Sequence, residues 1–123
     1  HAIVIKTDQV ESCQVKCKPV DISQIILNLL NNSIEAIAHA NERWIEISTT
    51  RQDDNIRISI KDSGAGISEE NQNKIFENSY TTKKQGIGTG LGLSLSRTLA
   101  QQNKGSLQYD SDSPNTKFDV VLP

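Results

Sequence analysis

Three stretches of this 123-residue chain carry residue types and spacings that could do chemistry. The first is Gly86-Ile-Gly-Thr-Gly-Leu-Gly92, which holds four of the seven glycines at alternate positions and feeds an apolar-periodic run. Leu91, Leu93, Leu95, Leu99 and Ala100 in that run have the spacing of a buried helical stripe. A glycine-rich loop entering a helix N-terminus presents free backbone N–H groups and a positive dipole end, which suits an anion such as phosphate. A flexible surface hairpin is the alternative. The second is Asp62-Ser-Gly-Ala-Gly-Ile67, an acidic residue at a strand end followed by two glycines that let backbone approach a ligand edge; a plain Asp-Gly turn is the alternative. The third is a polar edge on an otherwise apolar helix. Asn28 and Asn32 are four apart and Glu35 is three further, so all three share one side, either as a functional edge or as a solvated one.

Known phosphate loops do not fit. The chain has no G-x-x-x-x-G-K-[ST], and its glycines nowhere satisfy G-x-G-x-x-G, so P-loop, Rossmann and protein-kinase loops are excluded.

The elements that must position these groups follow from periodicity. Residues 2–6 and 13–18 read as short strands. Pro19-Val-Asp21 then starts a helix, with Asp21 as cap and Gln24 completing a capping box. Ile22, Ile25, Ile26, Leu29, Leu30, Ile34 and Ile37 carry that helix to about Ala40. Alternation at Ile45 and Ile47, then at Ile56, Ile58 and Ile60, makes a hairpin about Asp53-Asp-Asn55. Ser68 caps a short acidic-started helix reaching Ile75 and Phe76. Residues 77–90 lack apolar periodicity, as expected of a lid. Gly105 closes the Leu91 helix, and a second hairpin turns at Asp112-Ser-Pro-Asn115.

Bulk properties narrow the classes. The chain is long enough for one domain, residues 1–123, with one core. A net charge of −2 gives no electrostatic case for nucleic acid or an anionic membrane. No apolar run spans a bilayer and no signal peptide is visible. Cys13 and Cys17, roughly 13 Å apart if extended, read as buried free thiols of a reducing cytoplasm.

Four segments together carry a resemblance. Asn28-Leu-Leu-Asn-Asn32-Ser-Ile-Glu-Ala36, Asp62-Ser-Gly-Ala-Gly-Ile67, Ile75-Phe-Glu-Asn-Ser-Tyr-Thr-Thr-Lys83 and Gly88-Thr-Gly-Leu-Gly-Leu93 occur in that order. They resemble the boxes of the ATP-binding catalytic domain of sensor histidine kinases, in the Bergerat-fold superfamily. The resemblance implies an α+β fold, a two-layer α/β sandwich whose mixed, mostly antiparallel sheet carries three main helices on one face. It implies ATP and Mg²⁺ as cofactors. Asn32 matches the Mg²⁺ ligand, a neutral amide oxygen suited to a hard cation. Asp62 matches the adenine reader, whose carboxylate accepts from the N6 amine of adenine where guanine presents an acceptor, a distinction worth a factor of roughly 10⁴. Gly64, Gly66 and Ile67 line the base. Thr116 matches a position near the adenine, and Glu35 lies on the nucleotide-facing helix edge. Tyr80, Thr81 and Lys83 match the lid. Gly88, Thr89, Gly90, Leu91, Gly92 and Leu93 match the phosphate cradle. Asn28, Asn32 and Lys83 are the catalytic candidates, and Asn28 stands where hydrolysing relatives place a general-base Glu.

Departures from the pattern are Asn78-Ser79, where many members have Pro-Phe, and Asn115, where Gly commonly precedes the Thr. The phosphoacceptor is not in the chain: neither His1 nor His39 has a motif context. The implied protein is a catalytic fragment of a longer, homodimeric kinase. It would act in the cytoplasm on a histidine-bearing dimerisation domain, with a response regulator downstream. An anti-sigma-factor-type serine kinase and a non-catalytic nucleotide-sensing module are the other readings.

Overall fold

The computed structural model describes residues 2–10, 17–77 and 92–123. Five strands and three helices follow in the order β1 (Val4–Gln9), α1 (Pro19–Ala36), β2 (Trp44–Gln52), β3 (Asn55–Asp62), α2 (Glu69–Gln72), α3 (Gly92–Gln102), β4 (Ser106–Tyr109) and β5 (Lys117–Leu122). The sheet order is β1-β2-β3-β5-β4, with β1 parallel to β2 and every other pair antiparallel. This is the expected two-layer sandwich with a mixed, mostly antiparallel sheet, although α2 amounts to a single turn.

The period-two pattern of the central strands builds the core. Ile45 pairs with Asp62 and Ile47 with Ile60, while Ile60 faces Phe118 and Ile58 faces Val120. These side chains pack with Ile25, Leu29 and Ile37 of the α1 region and Ala100 of α3. Helix α1 lies against α3 and over β3. The alternate residues of β3 and β5 make the other sheet face polar. There Asp119, 2 % exposed, accepts Ser59 Oγ at 2.5 Å and Arg57 Nη1 at 2.9 Å. Such pairing is what a desolvated carboxylate requires.

Several local expectations are corrected. Helix α1 begins at Pro19, where a missing N–H costs nothing, and extended Lys18 takes the cap position without a side-chain bond. Asp21 instead sits in the first turn and accepts Asn103 Nδ2 at 3.0 Å, so no capping box forms. The helix ends at Ala36 rather than Ala40. Ser68 stands at the α2 cap position but makes no side-chain cap bond. Cys17 and Lys18 are not in a strand, and residues 13–16 lie outside the described residues. At the end of α3 Gly105 closes the helix as expected, with Lys104 (φ 62°) as the left-handed residue before it. Gly105 N–H donates to Ala100 O at 2.9 Å and Lys104 N–H to Gln101 O at 3.0 Å, a Schellman closure. The glycine is needed for another reason: a Cβ there would sit 2.2 Å from Val121 O. No helix among the described residues is long and apolar enough to cross a membrane.

Candidate functional site

The C-terminal end of β3, the start of β5 and the middle of α1 converge on Asp62. Its side chain is 1 % exposed. Asp62 Oδ1 accepts the Gly64 N–H at 2.8 Å, and the hydroxyls of Ser33 and Thr116 also hydrogen-bond the carboxylate. The chain folds back over this group because the β3–β5 ladder continues past its last pair, Lys61 with Lys117. Asp62 N–H donates to Thr116 O at 2.9 Å, and Thr116 N–H returns to Gly64 O at 3.1 Å. Gly64 has to be glycine, since a Cβ would lie 2.7 Å from Asp62 Oδ1 and 2.9 Å from Thr116 Oγ1.

The loop beyond is held at successive amides. Gly66 N–H donates to Thr116 Oγ1 at 3.0 Å and Ile67 N–H to the Tyr109 hydroxyl at 2.8 Å. Gly66 takes φ +93°, a conformation that side chains rarely adopt. Asn115, the departure from the usual glycine, braces the same loop by donating from Nδ2 to Gly64 O at 3.3 Å.

Burial pushes the Asp62 carboxyl above its ordinary 3.8, while the Gly64 N–H, Ser33 and Thr116 pull the other way. A desolvated carboxylate among adjustable hydroxyls can exchange those partners for a ligand's donor.

On α1, half-buried Asn28 donates from Nδ2 to Ser96 Oγ at 3.1 Å and accepts Gln24 Nε2 at 2.8 Å. It therefore links α1 to α3 and carries no group able to take a proton. Asn32 lies one turn on, half-buried, and Glu35 is exposed beyond it. Ser33, on the core side of the same turn, reaches Asp62. Helix α3 opens at Gly92, and partly buried Leu93 packs on the core. A Cβ on Gly92 would meet nothing within 4 Å, so packing among the described residues does not demand that glycine. The structure thus gathers Asp62, Gly64, Gly66, Ile67 and Thr116 into one site, with Asn28 and Asn32 along α1. Tyr80, Thr81, Lys83, Gly88, Thr89, Gly90 and Leu91 lie outside the described residues.

Sequence reasoning missed Ser33, Ser96, Gln72 and Tyr109. Ser33 alone left a signal, a hydroxyl four residues after Leu29 on the stripe that buries Ile25 and Ile37.

Fold and site together define a two-layer α/β domain that closes a glycine loop over a buried strand-end carboxylate. The family model for histidine kinase-, DNA gyrase B- and HSP90-like ATPases matches residues 17–123, and the chain belongs to this family of ATP-binding domains. It is 33% identical over 110 residues to sporulation kinase E of Bacillus subtilis, covering 89% of this chain and 14% of that protein. It is 32% identical over 111 residues to the sensor histidine kinase ZraS of Escherichia coli, covering 89% of this chain and 23% of that protein. The chain thus spans about a seventh to a quarter of the length of these curated relatives. Among solved structures, the nucleotide-free catalytic domain of histidine kinase ThkA superposes with a TM-score of 0.79 at 32% identity, over 98% of this chain and 77% of that one. The mycobacterial sensor histidine kinase MprB shares the fold with a TM-score of 0.84 at 23% identity, over 98% and 83% of the two chains.

Proposed function

We propose that the domain binds Mg²⁺-ATP and delivers the γ-phosphoryl group to a histidine on the dimerisation domain of the same kinase. A response regulator would receive the group next, in the cytoplasm. The observation that carries this reading is the buried Asp62 carboxylate with Gly64 folded over it. Asp62 accepts from the exocyclic amine of adenine, and Thr116, Gly66 and Ile67 bound the base. Asn32 would hold Mg²⁺ through its amide oxygen, and the ion would neutralise phosphate charge during transfer. Gly88 to Leu93 would cradle the phosphates, with Tyr80, Thr81 and Lys83 closing over them and Glu35 beside the metal edge.

Asn28 separates transfer from hydrolysis. Its amide is engaged with Gln24 and Ser96 and cannot activate water. General-base help is typically worth about 10²–10⁴ in rate, so hydrolysis stays slow. A neutral imidazole nitrogen needs no base before it attacks.

The test mixes the chain with labelled ATP, Mg²⁺ and histidine-bearing dimerisation domains. The expected product is acid-labile phosphohistidine on the added domain alone. Acid-stable phosphoserine, or fast ATP turnover by the chain without a partner, overturns the proposal.

A further inference from the structure

Three side chains hold successive amides of the Gly64–Ile67 loop, and one of them, Tyr109, has no part in the proposed chemistry. Asp62 holds the Gly64 amide and Thr116 holds the Gly66 amide. The Ile67 amide goes to Tyr109, which sits at the end of β4, on the far side of β5 from Asp62. Tyr109 is not free to wander. It pairs across strands with Phe118, their ring centroids 5.4 Å apart at 61°, and Phe118 is 2 % exposed and itself packs edge-on against Phe76. An aromatic side chain with two torsions, packed in this way, delivers its hydroxyl to one fixed point. The opposite side of Ile67 is held as well, because Gln72 Nε2 of α2 donates to Ile67 O at 2.8 Å. The neighbouring Gly66 leaves room for the hydroxyl, since a Cβ there would stand 3.1 Å from it.

We infer that Tyr109 is a positioning residue of the nucleotide site, its hydroxyl setting the Gly66–Ile67 backbone against the Asp62 pocket. The inference rests on the proposed nucleotide site and adds to it a residue that touches neither base nor phosphate. Loop amides left without this acceptor sample other positions, and the bound arrangement must then be selected from a wider population.

Tyr109→Phe removes the hydroxyl and keeps the ring on Phe118. Calorimetry should show ATP affinity falling about three- to tenfold, the range of one lost hydrogen bond. In the same variant, amide exchange at Ile67 should speed up while amides of β3 and β5 keep their protection. ATP affinity equal to that of the unsubstituted chain overturns the inference, whatever happens at Ile67. So does a loss of protection spread across the sheet, which would make Tyr109 a general packing residue. If the unsubstituted chain fails to bind ATP, the nucleotide-site reading itself falls, and that result is distinct from failure of Tyr109 alone.

Discussion

Asn28 of α1 donates from Nδ2 to Ser96 Oγ of α3 at 3.1 Å, joining two helices across 68 residues of chain. Ser96 is fully buried. Ser96→Ala leaves the Asn28 amide facing a methyl group. A half-buried donor without its partner costs about 1–2 kcal/mol. Urea denaturation should show that loss, with the slope of the transition unchanged; stability equal to the unsubstituted chain would mean that the bond contributes nothing.

Asn32→Ala should separate metal from fold. The residue lies on a helix, where alanine is well tolerated, so stability should change by no more than about 0.5 kcal/mol. Mg²⁺-dependent ATP binding should weaken by at least tenfold, by the reasoning that one of few protein ligands to the ion is gone. Titrations with and without Mg²⁺ measure this directly, and an unchanged Mg²⁺ effect would remove Asn32 from the site.

Asp62→Asn should abolish ATP binding without weakening the fold. Burial raises the Asp62 pKa above 3.8 in the folded chain. The folded state therefore holds its proton more tightly than the unfolded one. The stability linked to this group is present below the unfolded pKa and is lost as pH rises through the raised one. Melting curves from about pH 4 to pH 7 should show the Asn variant gaining on the unsubstituted chain as pH increases. A variant that falls further behind toward neutrality would contradict the assigned direction. The site thus trades stability for a charged acceptor.

Gly105→Ala should be costly for steric reasons alone. Its Cβ would need the space occupied by Val121 O, 2.2 Å away, where β4 leaves α3 and runs beside β5. Backbone has little room to give, and overpacking of this kind costs about 1–3 kcal/mol or more. Chemical denaturation is the measurement, and a neutral substitution would mean that β4 can shift away from β5.

What was legible in the sequence was whatever depends on near neighbours. Alternating isoleucines gave the β2–β3 hairpin, and placed Asp62 at the strand end where the structure has it. The apolar spacing from Ile22 gave α1, and the order of the four boxes gave the family. Long-range partners were hidden. Tyr109 reaches Ile67 from 42 residues away, and whether a strand's hydroxyl arrives at a given amide depends on the β4–β5 register. The cap assignment failed at Asp21 because Pro19 can start a helix two residues earlier, and Asn103, just past the end of α3, donates to the carboxylate. Gly105 closes α3 where the sequence put it, but the left-handed conformation falls on Lys104 and the glycine answers to Val121, a partner the sequence does not show.

The claim on which the rest depends is that the buried Asp62 carboxylate reads adenine, because the Gly64 amide, Ser33 and Thr116 are arranged around that group. The most direct measurement is calorimetric titration of the unsubstituted chain with ATP and with GTP at neutral pH in Mg²⁺. A carboxylate can accept from the adenine amine but meets an acceptor at the same place in guanine, and a mismatched buried polar group can cost a factor of roughly 10⁴. ATP binding that GTP cannot displace even in large excess is the predicted result. GTP binding as tightly as ATP would contradict the account.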